Sequence, residues 1–113
     1  MWGHMDRRWN SRKSMDLGIR LIPVFDKRVM AATLRNISLR GAFIEMQALL
    51  PSNAHMLIEL EFPGNLLQNS FHLYARIVRR TPAGAGVAFV GIPSGVVSVL
   101  DQVLSQYEQQ PDL

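Results

Sequence analysis

The sequence predicts a mainly β fold class: a six-stranded antiparallel β-barrel with one C-terminal α-helix. Six short runs are rich in β-branched and aromatic residues, turn residues separate them at near-regular intervals, and helical spacing begins only at Val96. A chain of 113 residues, 48% of them hydrophobic, is long enough for one such domain with its core. Closing the sheet into a barrel would also leave no unpaired strand edge.

The first three predicted strands lie in the first half of the chain. Residues 18–25 and 29–36 are two β-rich runs, and the polar residues between them predict a hairpin with a short loop. Residues 42–46 form a third, shorter run. The loops on either side are marked by glycine, proline, asparagine and serine.

The second half gives the clearest periodicity. Residues 55–62 and 71–80 alternate between apolar and polar positions, as half-buried strands do, and residues 86–90 form the sixth strand. A helix over about 95–109 follows, with Ser94 as its predicted N-cap. Its apolar positions repeat at intervals of three and four: Val96, Val99, Leu100, Val103, Leu104 and Tyr107. We also expect the phenylalanines of the strands to lie in the core: Phe43, Phe62, Phe71 and Phe89.

The start of the chain differs in composition from the rest. Residues 1–5 are typical of an expression-tag remnant, so we expect the native chain to begin near Met5. Residues 6–16 predict a flexible arginine-rich arm, and residues 17–113 a single domain. The basic residues cluster in this arm, at Arg7, Arg8, Arg12 and Lys13. Such a local cluster suits a compact anion better than a long polyanion.

Several classes of function find no support in the sequence. There is no cysteine, so disulfides, thiol nucleophiles and zinc–thiolate sites are excluded. His55 and His72 have no partner at metal-ligand spacing, and we find no catalytic or nucleotide-binding motif of the common enzyme classes. No apolar run approaches the roughly 20 residues of a membrane span. We therefore expect a non-catalytic, soluble protein of the cytoplasm that binds no metal.

Two short motifs are candidates for binding. Arg8 and Arg12 form R-x-x-x-R in the arm, and a guanidinium can grip phosphate, pair with guanine or stack on a base. Asn36, Ser38 and Gly41 form N-x-S-x-x-G between the second and third predicted strands. There Gly41 could take a positive φ or let a ligand approach closely. Taken singly, each motif also fits a plainer interpretation, a solvated basic tail or an ordinary turn.

Together, an R-x-x-x-R arm ahead of a β-barrel with [D/N]-x-S-x-x-G after its second strand resembles the PilZ family. The resemblance implies a bacterial receptor for the second messenger cyclic di-GMP, whose arm folds over the ligand. It implies that Arg8 and Arg12 contact guanine edges and phosphates, and that Asn36 bonds a guanine edge. Ser38 would contact base or phosphate, and Gly41 would keep the shape of the turn.

The resemblance also bears on stoichiometry and on signalling. The residue before the first motif arginine is Arg7, which favours an intercalated ligand dimer with Arg7 stacked on an outer base. Trp9 could shield a base or pack on the barrel. The bound arm would signal to an unidentified partner protein. Two alternatives remain at this point: a PilZ-like adaptor that binds no nucleotide, and a small barrel that binds single-stranded nucleic acid.

Overall fold

The computed structural model describes residues 13–26, 28–47, 50–63 and 70–109. Its strands are β1 (Lys13–Pro23), β2 (Met30–Ile37), β3 (Gly41–Glu45), β4 (His55–Glu61), β5 (Ser70–Thr81) and β6 (Gly84–Phe89), and its helix is α1 (Ser94–Gln109). The strands close into a barrel in the order β1-β2-β3-β6-β5-β4, with every neighbouring pair antiparallel. The predicted barrel with a C-terminal helix is confirmed.

The first strand starts earlier than the sequence predicted. We expected residues 6–16 to form a flexible arm, yet β1 already begins at Lys13. Ser14 and Asp16 are exposed while Met15 and Leu17 are half-buried, so this segment alternates as a strand does. The pairing with β2 shifts in register between Ser14 and Leu17. The alternation was present in the sequence, but its polar positions continue the polar composition of the residues before it. Residues 6–12 lie outside the described residues.

The core is built from the inward positions of the strands. In β4 and β5 the alternation that the sequence predicted is present, because Met56, Ile58, Leu73 and Ile77 are all buried. Phe62, directly after β4, and Phe71, in β5, continue this alternation, are buried as predicted and meet edge to face with ring centroids 5.9 Å apart.

Two phenylalanines are less buried than the sequence predicted. Phe43 and Phe89 were expected in the core, but both are only half-buried. Phe43 lies between the buried residues Ala42 and Ile44 of β3. Since side chains alternate across a strand, Phe43 points to the outer face of the barrel, where it lies between Asn36 and Gly86.

The helix completes the same core. Leu100 and Val103 of α1 are fully buried and Leu104 is 3% exposed, and all three belong to the barrel's hydrophobic cluster. Val96 and Val99 are half-buried against it. The predicted apolar stripe is therefore the face that α1 packs against the barrel, while the side chain of Tyr107 lies outside the described part.

Candidate functional site

The segment that joins β2 to β3 is a tight four-residue turn. The amide N–H of Ser38 donates to the carbonyl oxygen of Gly41 at 2.8 Å. The Ser38 hydroxyl oxygen accepts hydrogen bonds from the N–H groups of Arg40 at 3.2 Å and Gly41 at 3.3 Å. Its own proton is directed at the Gly41 carbonyl, 3.4 Å away, and Ser38 is only 4% exposed. The hydroxyl of Ser38 thus lies inside the turn and fixes its shape.

The turn between β5 and β6 repeats this arrangement. The hydroxyl oxygen of Thr81 accepts hydrogen bonds from the N–H groups of Ala83 and Gly84, each at 3.2 Å, and donates to the Gly84 carbonyl at 3.4 Å. The sequences S-L-R-G and T-P-A-G share the hydroxyl residue and the glycine three positions later. The sequence analysis missed this short repeat. The S-x-x-G half of the motif is consequently a turn-forming element that the fold uses twice.

The backbone of a neighbouring strand approaches both turn glycines so closely that no side chain fits at either position. A Cβ on Gly41 would lie 2.1 Å from the carbonyl oxygen of Val87 in β6, and a Cβ on Gly84 would lie 2.1 Å from that of Ile44 in β3. Neither glycine has a positive φ, which Gly91 alone has among the glycines of the described ranges. Of the two reasons expected for Gly41, close approach is the one observed here, and the approaching group is strand β6.

The beginning of β1 lies beside the candidate turn. Lys13 pairs with Ile37 and Ser14 pairs with Asn36, at the end of β2 that leads into Ser38. Asn36, Ser38 and Gly41 therefore lie together at one end of the β1–β2 pair. The predicted arm residues Arg7, Arg8 and Arg12 are outside the described residues. Covalent geometry nevertheless keeps the Cα of Arg12 within about 3.8 Å of the Cα of Lys13.

A row of paired residues crosses the outer face of the barrel from this point. Asn36 is paired with Phe43, Phe43 with Gly86, and Gly86 with Arg79. The Arg79 side chain lies over Gly86, because a Cβ there would be 3.7 Å from both Nε and Nη2 of Arg79, an ordinary contact distance. The sequence analysis missed Arg79. Arg79 comes close to the row from Asn36 only through the register of β5 on β6, which the sequence does not report. The run of small residues Gly84, Ala85 and Gly86 was the one signal in the sequence that side chains pack closely there.

The arginines around the turn differ in whether a carboxylate neutralises their charge. Arg35 bonds Asp16 at 2.9 Å and lies 3.6 Å from Glu45, so its charge is compensated. Within the ranges that the structure describes, Arg40 and Arg79 form no ion pair with a carboxylate. Two uncompensated guanidinium groups therefore lie close to the row that starts at Asn36, which makes this face attractive to an anion.

The remaining polar clusters offer no competing centre. Glu59 lies at one wall of a surface cavity of about 470 Å³ and pairs with Arg20 at 2.6 Å and with His72 at 3.5 Å. In the described part of the chain, no group of three or more histidine, cysteine, aspartate or glutamate side chains is arranged to hold a metal ion. Nor does this part contain a helix long and apolar enough to span a membrane.

Comparisons with known proteins agree with the fold. A family model described as PilZ domain matches residues 6–106. Among solved structures, the crystal structure of the PilZ domain of CeSA from a cellulose-synthesizing bacterium is similar, with a TM-score of 0.67 and 17% sequence identity. The alignment covers 86% of this chain and 98% of that chain, and at this identity it speaks for the fold alone. The comparison with curated proteins gave no significant match.

Proposed function

The chain belongs to the PilZ domain family, a family of non-catalytic cyclic di-GMP receptors, and from this premise we propose that it binds cyclic di-GMP between its N-terminal arginines and the β2–β3 turn. The observation that carries the proposal is the register of β1 on β2. Because Lys13 pairs with Ile37, the chain that contains R-x-x-x-R enters the barrel beside N-x-S-x-x-G. The family match supports the same pairing, since it spans both motifs.

Each motif residue has a role in this proposal. Arg8 and Arg12 hold guanine edges and phosphates through their planar guanidinium groups, and Asn36 bonds a guanine edge. The hydroxyl of Ser38 holds the turn in the shape that contacts a base or phosphate of the ligand. Gly41 has no side chain, so the turn can pack directly against β6. Being neutral, Asn36 does not repel the phosphates as an aspartate would.

The uncompensated charges near the turn extend the proposed site. Arg40 lies within the turn itself, and Arg79 lies at the far end of the outer row that begins at Asn36. We assign Arg79 to the ligand face because its guanidinium is uncompensated and the residue is exposed on the outer face, over Gly86. Arg35 is not assigned to the ligand, since Asp16 and Glu45 already neutralise it.

The bound ligand in this proposal is an intercalated dimer of cyclic di-GMP. Arg7 stacks on its outer base, which a cationic and planar side chain does well. The arm then changes conformation and signals to a partner protein. Because the ligand is a bacterial intracellular messenger, we also propose that the protein acts in the bacterial cytoplasm.

Calorimetry with cyclic di-GMP tests the proposal. We expect micromolar ligand to release heat with two ligands bound per chain. Arg8→Ala and Arg12→Ala should each weaken binding by roughly tenfold or more, since a lost charged hydrogen bond costs about 1.5–3 kcal/mol. Arg7→Ala should change the ligand count toward one.

The matched control is Arg28→Ala. Arg28 is an exposed arginine beyond the opposite end of β1, about 30 Å from Lys13 for a strand of 11 residues. Its loss should leave the affinity unchanged. Absence of binding by the unaltered chain, or a change below twofold for both Arg8→Ala and Arg12→Ala, would contradict the proposal. Displacement of the dinucleotide by a single-stranded oligonucleotide, with a steep dependence on salt, would instead indicate a nucleic-acid binder.

A further inference from the structure

Apolar side chains, three of them exposed and two half-buried, lie together across the outside of β1, β4 and β5. Ile22 pairs with Leu57, and Leu57 pairs with Tyr74. The N–H of Val90 donates to the Tyr74 carbonyl at 2.9 Å, and Val24 continues the same face of β1 beyond Ile22. We call these five residues the outer strip. Tyr74 is 57% exposed, Val24 50% and Val90 44%, so the strip is open to solvent.

The charges beside the outer strip differ between its two sides. On one side Glu59 pairs with both Arg20 and His72, so the charges there compensate one another. On the other side His55 pairs in register with Arg76. Within the described ranges Arg76 forms no ion pair with a carboxylate. This second side is therefore cationic and uncompensated.

Arg40 adds a second uncompensated guanidinium at the same side. Its carbonyl oxygen accepts a hydrogen bond of 2.9 Å from the N–H of Phe89, the residue before Val90. Arg40 thus connects the outer strip to the turn between Ser38 and Gly41. An apolar surface that contains a tyrosine and is bordered by arginines has the composition of protein–protein hot spots.

We propose that the outer strip is the docking surface for a partner protein segment that carries apolar side chains edged by aspartate or glutamate. The apolar side chains cover Tyr74, Leu57 and Val90, and a carboxylate pairs with Arg76. Opposite charges at such an edge fix the orientation of the partner and speed its association. The inference deepens the proposed function, because it assigns a surface and a chemistry to the partner of the receptor.

A second copy of this chain fits the strip less well. The only carboxylate on the three neighbouring rows is Glu59, which Arg20 and His72 already engage. A copy would therefore bring no carboxylate for Arg76 from that face, and the whole chain carries a net charge of +3.

Peptide selection on the full chain, without nucleotide, tests the inference. A displayed library of random 12-residue peptides is selected on the unaltered protein and counter-selected on Tyr74→Ser. Enriched peptides should combine apolar residues with aspartate or glutamate. These peptides are then synthesised with a fluorescent label. By fluorescence anisotropy they should bind at least tenfold more weakly to Tyr74→Ser than to the unaltered chain. Val90→Ser serves as a second variant of the strip, and circular dichroism confirms that each variant is folded.

A charge exchange makes the test specific. Arg76→Glu should weaken binding at least fivefold, and replacing the peptide's acidic residue with lysine should restore binding to Arg76→Glu alone. Arg35→Glu is the control for net charge and should change affinity less than twofold, because Arg35 bonds Asp16, which lies six residues, about 20 Å, along β1 from Ile22. The inference is overturned if no peptide enriches, if enriched peptides lack carboxylates, or if Val90→Ser and Arg76→Glu, neither of which is used in the selection, bind them as the unaltered chain does.

Two other occupants are distinguishable outcomes. Loss of a dimer in Tyr74→Ser, seen by analytical ultracentrifugation, would assign the strip to a second copy and overturn the inference. If the unaltered chain bound phosphatidylglycerol vesicles and Tyr74→Ser did not, the strip would be assigned to a lipid surface, and the inference would likewise be overturned. These measurements are made without cyclic di-GMP, so a negative result would not contradict the proposal that the chain binds the nucleotide. If the chain did not bind the nucleotide, the peptide measurements would still test the outer strip.

Discussion

The Cα of Gly41 faces the carbonyl oxygen of Val87 so closely that a Cβ at Gly41 would lie 2.1 Å from that oxygen. The Gly41→Ala variant must therefore move β3 away from β6. We expect it to lose about 1–3 kcal/mol of unfolding free energy, as overpacked interiors do. Urea unfolding measures the loss.

Gly18→Ala is the matched control for this prediction. Gly18 also lies in a strand, but a Cβ there would have no neighbour within 4 Å, and its φ is not positive. We expect its unfolding free energy to stay within about 0.5 kcal/mol of the unaltered chain. Equal losses in the two variants would show that contact with Val87 does not determine the need for glycine.

Ser38 and Thr81 make the same hydrogen bonds in two different turns, so a comparison of their alanine variants distinguishes an effect on stability from an effect on ligand binding. In either alanine variant two N–H groups of a turn lose their common acceptor, which costs about 1–3 kcal/mol for buried groups. The cost should be greater for Ser38→Ala, because Ser38 is 4% exposed and Thr81 is more accessible. Affinity for cyclic di-GMP should fall only in Ser38→Ala. An equal fall in both variants would mean that general destabilisation, rather than the β2–β3 turn, controls binding.

Arg79 and its neighbour Arg80 should respond in opposite ways. Arg79 rests over Gly86 and makes no ion pair in the described part of the chain, so Arg79→Ala should weaken cyclic di-GMP binding about tenfold with little change in stability. Arg80 donates to the carbonyl oxygen of Leu50 at 2.9 Å. Arg80→Ala should therefore lower the unfolding free energy and leave affinity unchanged. Calorimetry and thermal unfolding of both variants distinguish these effects, and the reverse pattern would remove Arg79 from the proposed site.

The fold was predictable wherever one strand carried its own pattern. The alternation in residues 55–62 and 71–80 and the helical spacing after Val96 each depend on local sequence, and the structure has the corresponding elements. The start of β1 was missed although residues 14–17 alternate, because their polar positions continue the polar composition of the arm and the pairing partner of Ser14 is Asn36, more than 20 residues later.

The candidate site was predictable only in part, for a similar reason. Asn36, Ser38 and Gly41 are close in sequence, so their motif could be recognised directly. The reason for glycine at position 41 lies in β6, and the place of Arg79 depends on the register of β5 on β6. Gly41 and Val87 are 46 residues apart, and Arg79 joins the row from Asn36 only because Gly86 pairs with Phe43, 43 residues earlier. Neither composition nor periodicity reports such strand pairing.

The burial of Leu100 makes α1 part of the folding unit. Leu100 is fully buried in the cluster that the barrel strands form, so truncation to alanine removes apolar contacts and leaves a cavity. We expect Leu100→Ala to lose about 2–5 kcal/mol of unfolding free energy, measured by urea denaturation. Ser98→Ala, on the exposed side of the same helix, should lose nothing measurable, since alanine is the better helix former. If Leu100→Ala instead unfolds at the same urea concentration as the unaltered chain, the stability of the barrel does not depend on its packing against the helix, and α1 would be free to move in the proposed signalling.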